Sequence, residues 1–408
     1  MTKKEYFIRI LILGFLTTLA PFSIDMYLPG FSDIAKDLHT TTNNVTLSLS
    51  SFFIGLAAGQ LLYGPLLDRF GRKTPLYYGL ALYIVASVGC LMATSINGLI
   101  TMRFIEAIGS CAAAVASVAM VRDLFPVEEN AKVFSLLMLI VGFSPIFAPY
   151  VGMLVTAAWG WQWVFAILSI IATLVLVASI FKLPTAYKPD KTISLKPLPI
   201  LNNFILVLKQ PQFYTYVFTG ALAFSGLFAY VAGAPLVLMG VFGLNKVMFG
   251  RIFASMSVSF IGCSQLNTLA LRKYKSEQLI GVAVIGQVII GLLFVIASVN
   301  GWLNLWGTLT FIFLSLCCLG FISSNTSALA LAPFTRNAGS ASSVMGAAQL
   351  GLGALTSGII GVFKSPTTMP LAIIMAVSSV LAAAVLFIGR QRIHHPIESS
   401  ADATVMVH

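Results

Sequence analysis

Charge is what this sequence has least of: 9% of its 408 residues are Asp, Glu, Lys or Arg, against roughly 25% in an average soluble protein. A total of 24 Lys+Arg and 13 Asp+Glu cannot build a water-facing surface over this length, which excludes a soluble enzyme. A chain that is 58% hydrophobic is not disordered either. Histidine is scarcer still. His39, His394, His395 and His408 all lie outside the apolar runs, so a buried histidine proton relay is excluded by inventory. The five cysteines (Cys90, Cys111, Cys263, Cys317, Cys318) are odd in number, sit in apolar stretches and lack metal-ligand spacing. They read as small core residues, not as a disulfide framework or a metal site. Strand-like alternation is missing as well, because the apolar runs are continuous, which argues against a β-barrel.

What is present is apolar length. Mean hydropathy is +0.94, and runs of about 20 apolar residues are long enough to cross a bilayer core of ~30 Å as helices. The fold class expected is an all-α polytopic membrane protein with twelve transmembrane helices, at roughly 8–28, 44–67, 75–94, 98–121, 133–157, 163–183, 213–239, 247–270, 278–298, 302–331, 339–363 and 369–389. The first run follows Lys3, Lys4 and Arg9. It is longer than a signal-peptide core and reaches Asp25 and Pro29 without a small-residue cleavage site, so it reads as a retained helix.

The net charge of +11 reads as loop charge, since no segment is long enough to carry a nucleic-acid-binding face. With the N-terminus in the cytoplasm, 19 of the 24 Lys and Arg fall on the cytoplasmic side. Four (Lys36, Lys246, Arg251, Lys364) fall outside, and Arg103 lies within a helix. That bias places both termini inside. The longest loop, 184–212, is rich in Lys and Pro and divides the chain into a six-helix bundle over 1–183 and a second over 213–408 with a short cytoplasmic tail. A 6+6 layout is the pattern of transporters whose two halves rock about a midplane site.

Three stretches carry a resemblance. The end of the second helix reads Gly64-Pro65-Leu66-Leu67-Asp68-Arg69-Phe70-Gly71-Arg72-Lys73. Gly64 permits close helix approach, Asp68 ends a helix beside three cations, and Gly71 supports a tight turn. This resembles the signature loop between helices two and three of the major facilitator superfamily. Helix four carries Leu99, Arg103, Glu106, Gly109 and the small run Ser110–Ala114, similar to that family's arginine motif with Glu106 in place of the usual amide and Ala107 of the first glycine. Helix five carries Ser144, Pro145, Ala148, Pro149 and Gly152, similar to the antiporter motif, with Met153 in place of its last glycine. Together with Ser23-Ile24-Asp25-Met26-Tyr27-Leu28-Pro29, Arg122-Asp123-Leu124-Phe125 and the opening of helix eleven, 338–343, these resemble the bicyclomycin and chloramphenicol/florfenicol resistance subfamily of drug:proton antiporters. The resemblance covers essentially the whole chain.

It implies multidrug efflux across the bacterial inner membrane, small cytoplasmic drugs leaving as external protons enter by alternating access. No cofactor is expected; the proton is the coupling ion. The implied partners are small amphipathic or neutral drugs and the lipid bilayer, and the working unit is expected to be a monomer. Gly64, Asp68, Arg69, Gly71 and Arg72 would form the conformational switch, and Ala148, Pro149 and Gly152 the antiporter segment of helix five.

Asp25, Arg103 and Glu106 lie within apolar segments, where each would cost ~3 kcal/mol or more facing lipid at the bilayer centre. Counted along their helices at ~1.5 Å per residue, they reach similar depth, and Glu106 shares a helix face with Arg103. Desolvation favours the protonated form of a carboxylate and a neighbouring arginine the ionised form. The expectation is a triad in which Arg103 engages both carboxylates, Asp25 is the proton site and Glu106 is second. A static triad that only fixes packing is the alternative. Second-half helices offer neutral polar groups, Tyr230, Asn325 and Gln349, which with Thr18 and Phe22 are the pocket candidates.

A proton-coupled transporter of one specific metabolite remains the competing reading on the same fold. An embedded enzyme is excluded by the lack of a His/Asp cluster or a Ser/His pair at membrane depth. A passive channel would need a recurring ring of charge, and none is present.

Overall fold

The computed structural model describes residues 3–185, 189–190, 195–334, 338–363, 367–393 and 397. Lys188, Lys191, Arg336, Lys364, His394, His395 and His408 lie outside the described residues. Every regular element among the described residues is helical. Twelve helical spans are long and apolar enough to cross a membrane, so the chain is a multi-pass membrane protein.

It divides into two compact units, Met1–Ile200 and Leu201–His408. The first holds α1 (Lys3–Asp25), α2 (Phe31–Asp37), α3 (Thr42–Phe70), α4 (Lys73–Leu91), α5 (Ile96–Leu124), α6 (Val127–Ala158) and α7 (Gln162–Lys182). Helix α8 (Pro197–Leu208) follows, within the stretch that reads as loop in the sequence. The second unit holds α9 (Pro211–Ala234), α10 (Lys246–Ala270), α11 (Ser276–Val299), α12 (Leu305–Leu331), α13 (Ala338–Val362) and α14 (Met369–Arg390).

Local chemistry sets the starts. Thr41, Ser95, Asn245 and Asn304 accept backbone N–H bonds from the first turns of α3, α5, α10 and α12, the usual N-cap device. Two helix ends depart from the sequence-based spans. Helix α1 stops at Asp25; a turn at Met26–Tyr27 and a 3₁₀ segment over Leu28–Gly30 then lead into the short α2. Helix α9 passes into a π-helical segment, Pro235–Val241, because Pro235 has no N–H to continue the α ladder; Phe242 N–H bonds instead to the Val237 carbonyl, five residues back.

Within the first unit α5 packs on α1, α3 and α4, α1 packs on α6 and α7, and α4 packs on α7. The second unit repeats this scheme: α12 packs on α9, α10 and α11, α9 on α13 and α14, and α11 on α14. The internal repeat is weak in the sequence and plain in the packing.

Candidate functional site: the bend of α1 and its supports

Helix α1 delivers Asp25 at its last residue, and everything just beyond is buried: Met26 and Tyr27 are each 1% exposed, Leu28 and Phe31 not at all. Three contacts fix this bend. Tyr27 Oη lies 2.7 Å from Ser48 Oγ of α3. Ser23 Oγ lies 2.7 Å from Tyr83 Oη of α4. On the third side Gly152 of α6 lies so close to the Met26 backbone that a Cβ there would overlap it. Asp25 is 6% exposed, and no hydrogen bond or ion pair joins its carboxyl to a described residue.

Arg103 and Glu106 sit one turn apart on α5, both wholly buried. Arg103 Nη1 donates to Glu106 Oε2 at 2.6 Å, and Nη2 to the Ser23 carbonyl at 3.0 Å. The guanidinium carbon lies 4.0 Å from the Phe52 ring centre, 4.9 Å from Tyr27 and 5.6 Å from Phe165. Aromatic faces attract a desolvated cation. Ser87 Oγ donates to Glu106 Oε1 at 2.9 Å, and Cys90 Sγ faces Oε2 at 3.8 Å. The structure therefore corrects the expected triad. Arg103 pairs with Glu106 and with the α1 backbone and does not bond the Asp25 carboxylate. Depth along a helix is legible from residue counting; the direction in which each side chain leaves its helix is not.

The signature loop forms a second cluster. Gly71 has φ +82°, a conformation that glycine adopts without strain, and it turns the chain from α3 into α4. Arg72 Nη1 donates to Asp68 Oδ1 at 2.5 Å and its Nε to Asp123 Oδ2 at 2.7 Å. Burial opposes the charge on Arg72, but the bonds to Asp123 and Asp68 outweigh it and hold the guanidinium above its ordinary pKa range. Asp68 also accepts at its backbone carbonyl from Asp190 N–H, 3.2 Å away. The neighbouring Arg69 carries its guanidinium over the Phe70 ring at 5.9 Å. Gly64 lies one turn before Asp68 on α3. The part of Asp123, as second carboxylate on Arg72, is not apparent from the sequence; an Asp at the end of a helix beside a basic loop is the signal that could have found it.

Along α6, Ser144, Ala148 and Gly152 recur every four residues, are buried, and so share one face, with the bend of α1 against it at Gly152. Pro149 is buried beside them.

Of the pocket candidates, Thr18 is buried and its hydroxyl donates to the Gly14 and Phe15 carbonyls of its own helix. Phe22 is half-buried. In the second unit Tyr230 stacks on Phe253 at 5.5 Å. Asn325 Nδ2 donates to Asn267 Oδ1 at 2.7 Å, a partner on α10 that the sequence does not point to. Gln349 is half-buried on α13. Tyr230, Asn325 and Gln349 therefore lie on three different helices of that unit.

Comparison with known proteins adds relatives over the whole length. A profile described as Major Facilitator Superfamily matches residues 13–358. The chain is 32% identical over 383 residues to a bicyclomycin resistance protein homolog of Haemophilus influenzae, covering 93% of this chain and 95% of the relative. It is 31% identical over 409 residues to the multidrug resistance protein MdtL of Escherichia coli, covering 95% and 99%. Among solved structures, a D-xylose-proton symporter superposes with a TM-score of 0.72 at 16% identity, over 94% of this chain and 97% of that one. A bacterial homolog of the lysosomal transporter Spinster gives 0.70 at 13%, over 96% and 98%. At such identities the structural likeness speaks for the fold alone.

Proposed function

The chain belongs to the major facilitator superfamily, and we propose that within it the protein is a multidrug exporter, exchanging small amphipathic or neutral drugs from the cytoplasm for external protons. It is a transporter and not an enzyme. The proposed setting is the bacterial inner membrane with both termini in the cytoplasm, which the Lys/Arg bias of the loops supports. The names of the relatives, a bicyclomycin resistance homolog and a multidrug resistance protein, support drugs as the cargo class.

The observation that carries the reading is the Asp25 carboxyl, buried at the bend of α1 without a bonding partner among the described residues. Burying an unpaired carboxylate is costly. Asp25 is therefore stable at this place when it carries a proton and loses that proton once water or drug reaches the bend. A site that cannot hold proton and drug equally well in both states is what exchange requires. The Arg103–Glu106 pair is proposed as the fixed anchor against which the α1 bend is held, with the Glu106 carboxylate bonded by Arg103 and Ser87. Asp68, Arg69 and Arg72, with Gly64 and Gly71, are proposed as the switch that biases one access state. Ala148, Pro149 and Gly152 of α6 are proposed as the antiporter segment, Gly152 standing against the Met26 backbone at the bend.

The test is proton movement in everted membrane vesicles. Addition of drug to energised vesicles should release protons from the lumen with wild-type protein and not with Asp25→Asn. Proton movement triggered by one metabolite alone, with no response to a panel of unrelated drugs, would replace this reading with a specific carrier.

A further inference from the structure

Helices α10 and α12 form a V. At one end they nearly touch: a Cβ on Gly320 would lie 2.8 Å from the Phe260 carbonyl oxygen and from Ser264 N. Ser264 and Ser324 hydroxyls meet at 3.2 Å, and Asn325 donates to Asn267 at 2.7 Å. Toward their N-termini the helices part and leave a groove of about 420 Å³. Its walls are apolar: Ile252 and Met256 on α10, and Leu309, Phe313 and Leu314 on α12.

The hydroxyls in the groove are already spent on their own helices. Ser255 Oγ donates to the Ile252 carbonyl at 2.7 Å, and Thr310 Oγ1 to the Trp306 carbonyl at 2.9 Å. Arg251 is exposed at the wide end and makes no hydrogen bond or ion pair with a described residue. Beside it stands Trp306, 71% exposed, in the first turn of α12. Tryptophan at the end of a membrane helix marks the headgroup level.

The dimensions fit one class of occupant. From Arg251 to Met256 the groove runs five residues along α10, and from Trp306 to Leu314 eight along α12, or about 8–12 Å at ~1.5 Å per residue. That fits within a single leaflet, about half of a ~30 Å hydrocarbon core. A cation at headgroup level over an apolar trough that stays within one leaflet matches an anionic head joined to the upper part of an alkyl chain. We propose that the α10–α12 groove is a binding site for an anionic phospholipid, its phosphate on Arg251 and one acyl chain along Leu309 and Phe313. A zwitterionic head brings its own cation to the phosphate and gains less from Arg251.

Native mass spectrometry of the purified full-length protein tests this, with phosphatidylglycerol, phosphatidylcholine and inorganic phosphate added separately. Wild type should hold one phosphatidylglycerol in preference to phosphatidylcholine. Arg251→Gln should weaken that retention about fivefold, the worth of one cation near an anionic surface, and bring it to the phosphatidylcholine level. Arg251→Lys should keep the preference. Thr310→Trp, which fills the trough, should lose both lipids. Thermal melts of each variant report folding, and should Arg251→Gln fail to fold, Arg251→Lys and Thr310→Trp decide the matter. The proposal is overturned by phosphatidylglycerol held equally by Arg251→Gln, by its loss in Arg251→Lys, by retention in Thr310→Trp, by inorganic phosphate binding as well as the lipid, or by displacement of the lipid by a transported drug, which would make the groove a substrate site.

Discussion

The Arg103 guanidinium holds the Ser23 carbonyl at 3.0 Å, so it grips α1 by the backbone two residues ahead of Asp25. The same group lies 4.9 Å from the ring centre of Tyr27, two residues beyond Asp25. Arg103 thus fixes both flanks of the bend without engaging the carboxyl between them. Its remaining bond, to Glu106, neutralises the one acidic group that shares its helix face.

Arg103→Ala should therefore destabilise the protein by about 3–5 kcal/mol, the cost of leaving one member of a buried pair uncompensated. Adding Glu106→Gln to Arg103→Ala should recover part of that loss, because the stranded charge is gone. Arg103→Lys should fall between: an ammonium can meet Glu106 but cannot also reach Ser23 and lie flat against Phe52. Thermal melts in detergent give all three comparisons. Equal stability of Arg103→Ala and wild type would remove the anchor role.

Asp25→Asn should behave in the opposite way. The carboxyl has no partner to lose, so stability should stay equal or rise, while proton-driven efflux should drop to background. The pH response gives the sign. Wild-type export should weaken as external pH rises and the supply of driving protons falls, whereas downhill drug exchange by Asp25→Asn should be flat in pH. A mutant that still concentrates drug against its gradient would assign the proton to another group.

Asp68→Asn and Asp123→Asn should each slow turnover while leaving drug affinity near wild type, and the double variant should be little worse than either. Both carboxylates bond one guanidinium, Arg72, and residues in one network do not add independently. Transport rates and equilibrium drug binding, measured on the same preparations, separate the two effects. Additive losses would mean that the two aspartates act apart.

Much of the fold is legible in the residues themselves. Apolar run length locates the twelve spans because the bilayer imposes its own thickness on every helix, and the Asp68 loop announces itself through a glycine that the +82° backbone at Gly71 explains. Other features need the third dimension. Residue counting puts Asp25 and Arg103 at one depth but cannot show that Arg103 leaves α5 toward Glu106 and Ser23. Asn325 is visible as a polar residue in an apolar helix, whereas its partner Asn267, 58 positions away, depends on how α10 crosses α12. Helix α2 and the π-helical turn after Ala234 follow from prolines whose local effect is predictable as a break, not as the particular geometry that replaces the helix.

Gly152 offers the most discriminating single-atom test of the α1 bend. A methyl group at this position would overlap the carbonyl carbon, oxygen and Cα of Met26. Backbone cannot rotate out of the way as a flexible side chain can, so either α6 withdraws or the bend shifts, and overpacking of this kind costs about 1–3 kcal/mol. Because Met26 follows Asp25 directly, the shift falls on the proposed proton site. Gly152→Ala should lower drug efflux and thermal stability together, and Gly152→Leu should do so more severely. Gly262, within α10, provides the control: nothing among the described residues lies within 4 Å of a Cβ built there, and Gly262→Ala should leave both measurements near wild type. Efflux and melting temperature retained in Gly152→Ala would show that α6 does not brace the bend.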